Sequence, residues 1–156
     1  MQARMTQPAV LFPDAMKALR ALHAVVEKSG LPSRTVGLIE VRASQMNGCS
    51  VCVDMHSRIL KQQGESDERL FAVAAWRDAP YFSDAERAAL ALTEELTRLE
   101  LAGVSDAAWS NARRFYDERA LGGLILAIAN INVWNRLNVA TRQVAGEWVK
   151  AQAVAQ

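Results

Sequence analysis

Cys49, Cys52 and His56 are the residues whose types and spacing can do chemistry in this chain. They form a C-x-x-C-x-x-x-H run inside SQMNGCSVCVDMHSRILKQQG, Ser44 to Gly64, and account for both cysteines and one of the two histidines. Read as a helix, the run places Cys49, Cys52 and His56 at three- and four-residue separations, so all three side chains fall on one face. Ile59, Leu60 and Gln63 continue that face and turn the trio inward. The thiolate is the reactive form of cysteine, and a free thiol near neutral pH is mostly protonated. An imidazole one turn from a thiol can take its proton. A second thiol within a turn can attack the sulfenic acid that an oxidant leaves, giving a disulfide and water. The expected chemistry is a two-cysteine cycle: peroxide oxidises one sulfur, the other resolves it, and an external dithiol restores both.

Spacing alone does not say which sulfur attacks. Cys49 sits nearer the helix N-terminus, where free N–H groups and the macrodipole lower a thiol pKa. Cys52 has the better route to His56. Two plainer roles also fit the same residues. Buried cysteines often serve as small hydrophobes. Two cysteines and a histidine can also hold zinc if a fourth ligand comes from elsewhere, and His23 is the other histidine.

Composition bounds the rest. A chain of 156 residues with 51% hydrophobic and 22% charged residues has the material for one core and the balance of an ordinary globular domain. A net charge of +1, without a basic stripe interleaved with aromatics, argues against nucleic acid as a partner. Two cysteines are too few for a disulfide-stapled secreted scaffold. The start, MQARMTQPAVLFPD, has no long apolar stretch of the signal-peptide kind. The most apolar run, Leu121 to Trp134, reads as too short to span a bilayer. A cytoplasmic protein away from membranes is expected. Glycine-rich phosphate loops and a Ser/His/Asp order are absent, and no cofactor is expected.

The elements that must position the trio are all helical. Residues 1–10 read as a flexible N-terminal arm and 11–150 as one helical domain of about seven helices. Pro13 opens the first helix, where a missing N–H costs nothing, and Gly30 ends it. His23 lies on it among charged and small residues and reads as a surface or core-edge histidine. Pro32 opens the second, PSRTVGLIEVRASQMN, with Val36, Ile39 and Ala43 as its apolar stripe. Glu40 lies on the same side, as a solvated charge or as an acid that approaches the thiols. Arg42 reads as a partner for a substrate carboxylate or for Glu40, or more simply as an ordinary surface charge. The cysteine helix comes third and ends at Gly64. Ser66 caps a fourth from Asp67 to about Arg77, in which Trp76 is core or interface. Ser83 to Glu86 is a capping box for a fifth that runs to about Leu101. Ser105 caps a sixth from Asp106 to about Asp117. The last runs from about Arg119 to Val149. Its Asn132, Asn135 and Asn138 share one face, more as a structural network than as a polar wall of the site.

RASQMNGCSVCVDMHSR resembles the signature of the AhpD-like alkylhydroperoxidase and carboxymuconolactone decarboxylase superfamily. SDAERAALALTEELTRL and LAIANINVWNRLNVATR resemble that superfamily's following and last core helices. The resemblance implies an all-α AhpD-like fold, a homo-oligomer (commonly a trimer or hexamer) and peroxide reduction with a thiol or lipoyl-type dithiol as reductant. It assigns attack to Cys52, resolution to Cys49 and proton relay to His56. The pattern departs at one point. Relay-bearing members often carry a glutamate twelve residues before the first cysteine, and this chain has Gly37 there. Glu40, one turn on, is the nearest acid and covers part of the same face. The alternatives to a peroxidase are a redox-sensing or binding protein of the same family and a metal-stabilised scaffold.

Overall fold

The structure is a computed structural model that describes residues 1–100 and 103–149. Among the described residues every regular element is helical. The helices are α1 (Pro8–Leu11), α2 (Pro13–Glu27), α3 (Ser33–Met46), α4 (Ser50–Gln62), α5 (Asp67–Ala72), α6 (Asp84–Arg98), α7 (Asp106–Arg113) and α8 (Glu118–Thr141). A 3-10 turn over Val73–Ala75 follows α5, so the fourth expected helix breaks into two short pieces.

Local chemistry sets the starts. The side chains of Ser66, Ser83, Ser105 and Asp117 each accept a backbone N–H three residues on, and Glu86 closes a capping box with Ser83. Each cap satisfies one of the donors that a helix start leaves open. The stops differ from the expected ones. α8 ends at Thr141, not Val149, because Arg142 turns left-handed at φ 51° and its N–H closes back on the last turn. Gly146, also at positive φ, turns the chain again, and Trp148 then donates its indole N–H to Asp54 at 3.0 Å. α6 ends at Arg98 with Leu99 left-handed; Leu101, its expected end, lies outside the described residues.

Part of the segment expected as a loose arm is helical. Gln7 caps α1 through its side chain, and Ala9 is fully buried. The backbone N–H of Arg4 bonds to the carbonyl of Thr141 at 2.8 Å, which fastens this segment to the end of α8.

α3 and α8 are the central helices. α3 packs on α4, α6 and α8, and α8 also packs on α2. The main core joins Val26, Ile39, Leu92, Leu124 and Ile128 from α2, α3, α6 and α8. A second core joins Leu38 and Val41 to Leu60, Val73, Trp76 and Leu90. Two glycines permit the closest approaches. A Cβ on Gly37 would lie 2.5 Å from Leu60, and one on Gly123 would lie 2.3 Å from Ser29. α8 has 24 residues, so the apolar run belongs to a helix long enough to cross a membrane by length and composition. Its buried face of Leu124, Ala127, Ile128 and Ile131 meets the other helices, which accounts for its apolarity without a bilayer.

Candidate active site

A third, small core surrounds the sulfurs. Ala43 of α3, Cys49, Cys52 and Ile131 of α8 are buried together, with Val51 and Trp134 at the edge. The α3–α4 turn aims the pair. Asn47 ends α3, Gly48 takes the left-handed conformation at φ 66°, and Cys49 is extended as the N-cap of α4. The N–H of Cys49 bonds to the carbonyl of Ser44 at 2.9 Å.

The asparagine face of α8 clamps this turn. Asn47 Nδ2 donates to Asn132 Oδ1 at 2.9 Å and to Asn135 Oδ1 at 2.8 Å. Asn135 Nδ2 donates to Ser44 Oγ at 3.0 Å, and Asn132 Nδ2 donates to Thr97 Oγ1 at 3.1 Å. These amides are the structural network expected of them. Two asparagines of this face also serve the thiols: Asn138 Nδ2 lies 3.3 Å from Cys52 Sγ, and hydrogen bonds from Asn138 and Asn135 both favour charged sulfur.

Cys49 and Cys52 are free cysteines here, and their sulfurs lie 2.8 Å apart. Neither side chain is more than slightly exposed. The pair titrates as a unit. Hydrogen bonding from Cys52 outweighs burial and holds the Cys49 thiol down to about 7. The same shared proton, with burial, pushes the Cys52 thiol well above the usual thiol range. One negative charge is thus favoured on the pair and two are not.

At the other end of the same helix face, His56 Nδ1 lies 2.9 Å from Glu40 Oε2. Burial pulls the imidazole pKa down, but the Glu40 charge and hydrogen bond outweigh it, and the Cys52 charge adds to them, so the net shift is upward. Glu40 is itself buried. A turn earlier on α3, Gly37 faces Leu60 with no room for a side chain. The acid one turn on is the one that reaches the histidine.

His23, expected at the surface or the core edge, comes to this cluster as well. Its Nδ1 lies 3.6 Å from Glu40 Oε1 and its Nε2 3.9 Å from Glu27 Oε1. The only signal in the sequence is the i, i+4 spacing of His23 and Glu27, which says nothing of α3. Arg42 leaves the site: its Nε bonds to Glu94 Oε1 at 2.7 Å, and the indole of Trp76 reaches the same oxygen at 2.8 Å. Among the described residues no three His, Cys, Asp or Glu converge as metal ligands.

Two clefts reach these groups and share no lining residue. One, about 490 Å³, is lined by Cys49, Ser50, Val51, Asn138 and Arg142 among others. The other, about 340 Å³, lies between α2, α3 and α4 and is lined by His23, Val26, Val36, Glu40, His56 and Ile59 among others.

A helical bundle that presents a C-x-x-C pair beside a histidine–carboxylate pair defines an AhpD-like protein. The carboxymuconolactone decarboxylase family matches over residues 13–95. The chain belongs to that family, within the superfamily it shares with the AhpD-like proteins. It is 36% identical over 130 residues to the uncharacterized protein YdfG of Bacillus subtilis, covering 83% of this chain and 88% of that one. A crystal structure of ATU0492 from Agrobacterium tumefaciens, a protein of unknown function for which an AhpD antioxidant-defence role is suggested, superposes with a TM-score of 0.86. It is 34% identical and covers 92% of this chain and 98% of its own. The debrominase Bmp8 shares the fold at a TM-score of 0.75 and 22% identity, over 85% of this chain and 72% of its own.

Proposed function

We propose that this protein is a thiol-dependent peroxidase whose working unit is the Cys49/Cys52 pair with His56 and Glu40. The observation that carries this reading is the juxtaposition of the two cysteine sulfurs at 2.8 Å, at the start of a helix whose next turn holds the Glu40-paired imidazole. The thiolate attacks the distal oxygen of a hydroperoxide, the O–O bond breaks, and the alkoxide takes its proton from the His56 imidazolium. The second thiol then attacks the sulfenic sulfur; an S–S bond forms and hydroxide leaves with that thiol's proton as water. Two thiols and one hydroperoxide become a disulfide, an alcohol and water. A dithiol of the lipoyl type returns the pair to its reduced form.

Cys52 is the attacking sulfur in this scheme and Cys49 the resolving one, as the resemblance to AhpD-like proteins implies. The resting charge favours Cys49. Passing a proton across the 2.8 Å contact moves that charge to Cys52, the sulfur on the His56 side. Asn138 stabilises it there with its amide N–H. Large apolar side chains left exposed, Phe12 and Phe71 above all, suit subunit contacts in a homo-oligomer. A single redox-active cysteine pair, in a sequence with no further cysteines for a disulfide scaffold, suits the cytoplasm.

The test is a free-thiol titration before and after one equivalent of peroxide, with the mass of the product. Loss of two thiols and of two hydrogens in mass is expected, followed by turnover once a dithiol is present. A single oxidation without turnover would leave a redox sensor in place of an enzyme. Thiols that stay silent until a chelator is added would remove the peroxidase reading.

A further inference from the structure

We propose that His23 is the outer member of a proton relay, His23–Glu40–His56, that opens on the α2–α3–α4 cleft while sulfur chemistry uses the separate cleft at Cys49. The inference rests on the dithiol cycle proposed above and adds a residue and a route to it. Glu40 presents one oxygen to each histidine, Oε2 to His56 at 2.9 Å and Oε1 to His23 at 3.6 Å. The second distance is just beyond a direct hydrogen bond, so a few tenths of an ångström of ring movement, or one water, completes the contact. The side chains of His56 and Glu40 are 11% and 8% exposed, whereas that of His23 is 43% exposed. His23 is thus the member that meets solvent. The groups facing it are Glu27 on its own helix, Glu40 on α3 and, through Glu40, His56 on α4. No lysine or arginine is among the residues that line this cleft.

The cycle needs such a route. Peroxide reduction consumes the His56 proton, which leaves to the alkoxide, and ends with a neutral imidazole beside a disulfide. An external dithiol that attacks as its monothiolate brings one proton, yet two cysteines and His56 must end with two protons among them. One proton per cycle therefore enters from water. Cys52 is fully buried and lines neither cleft, and the cleft that reaches the pair at Cys49 is the one reactants must enter. The α2–α3–α4 cleft shares no residue with it and stays free for proton exchange.

The experiment is reduction of the preformed Cys49–Cys52 disulfide by dithiothreitol in wild type, His23→Ala and His23→Gln, with timed acid quench, alkylation and the protein's mass as the readout. This readout needs no peroxide. Both variants are expected to reduce roughly tenfold more slowly, as for loss of an outer proton donor. Their rates should rise with buffer concentration, and imidazole, which the cleft beside residue 23 can admit, should restore His23→Ala. Wild type should be indifferent to both additions. Wild-type rates in both variants would overturn the relay. So would a slowing that neither buffer nor imidazole relieves, since a purely structural histidine behaves that way. A wild type that reduces normally but never turns over peroxide would instead remove the peroxidase reading and leave the relay standing.

Discussion

Replacing Glu40 by glutamine removes one charge and keeps the shape of the site. The carboxylate and imidazolium approach to 2.9 Å between their facing atoms, which puts the charge centres about 5 Å apart. At an effective dielectric of about 20 their attraction is about 3 kcal/mol, which favours the charged imidazole against the burial that opposes it. Burial then acts on His56 with less opposition, so in Glu40→Gln its pKa should fall below the ordinary 6.5, whereas it lies above that in wild type. The sign for stability follows. A raised folded-state value means the pair's contribution is complete below pH 6.5 and is lost as pH rises through the folded value. Thermal unfolding of wild type should therefore weaken across that window, and the slope should flatten in Glu40→Gln. The chemical consequence is larger. Near pH 7 the variant has little imidazolium to hold a thiolate or to protonate an alkoxide. Single-turnover oxidation should slow by about a hundredfold, the low end of what a positioned acid supplies. NMR titration of His56 and stopped-flow thiol loss read the two effects separately. An unchanged His56 titration in a folded variant would refute the electrostatic argument. A shifted titration with an unchanged rate would refute the role of the imidazole in catalysis.

Cys52→Ser should abolish sulfenic acid formation with one equivalent of peroxide, while Cys49→Ser should trap a sulfenic acid on Cys52; the reverse pattern, read by dimedone labelling and mass, would make Cys49 the attacking thiol. Asn138→Ala removes a hydrogen bond that favours the charged sulfur, so thiol alkylation near pH 7 should slow several-fold with a stability loss of about 1 kcal/mol by denaturant titration. Asn135→Ala leaves Asn47 and Ser44 short of partners in the buried turn and should cost about 2–3 kcal/mol, measured the same way. Gly37→Ala drives a methyl into Leu60 at 2.5 Å and should destabilise by about 1–3 kcal/mol.

What the sequence revealed of this site was whatever one helix could carry. The four-residue spacing of Cys52 and His56 needs no neighbour, and the caps at Ser66, Ser83 and Ser105 are equally local, so these stand where the spacing puts them, while Cys49 falls just outside the helix as its extended N-cap. The end of α8 was not legible, because nothing marks Arg142 as the residue that turns left-handed. The roles of α2 and α3 depend on how helices cross. Gly37 and Glu40 are one turn apart, and which of them meets His56 is set by the depth to which Leu60 seats against α3. Because the glycine lets α4 come close, a carboxylate at position 40 reaches Nδ1 at 2.9 Å, and one at position 37 would have to displace Leu60 first. The same close packing brings the far oxygen of Glu40 under His23. Restoring the usual glutamate by Gly37→Glu should therefore fail to rescue Glu40→Gln. The double variant is expected to be less stable than the single one by more than 1 kcal/mol, with His56 still titrating low. A rescued rate in that double variant would show that α3 and α4 can part enough for either turn to supply the acid, and that the packing of Leu60 does not choose between them.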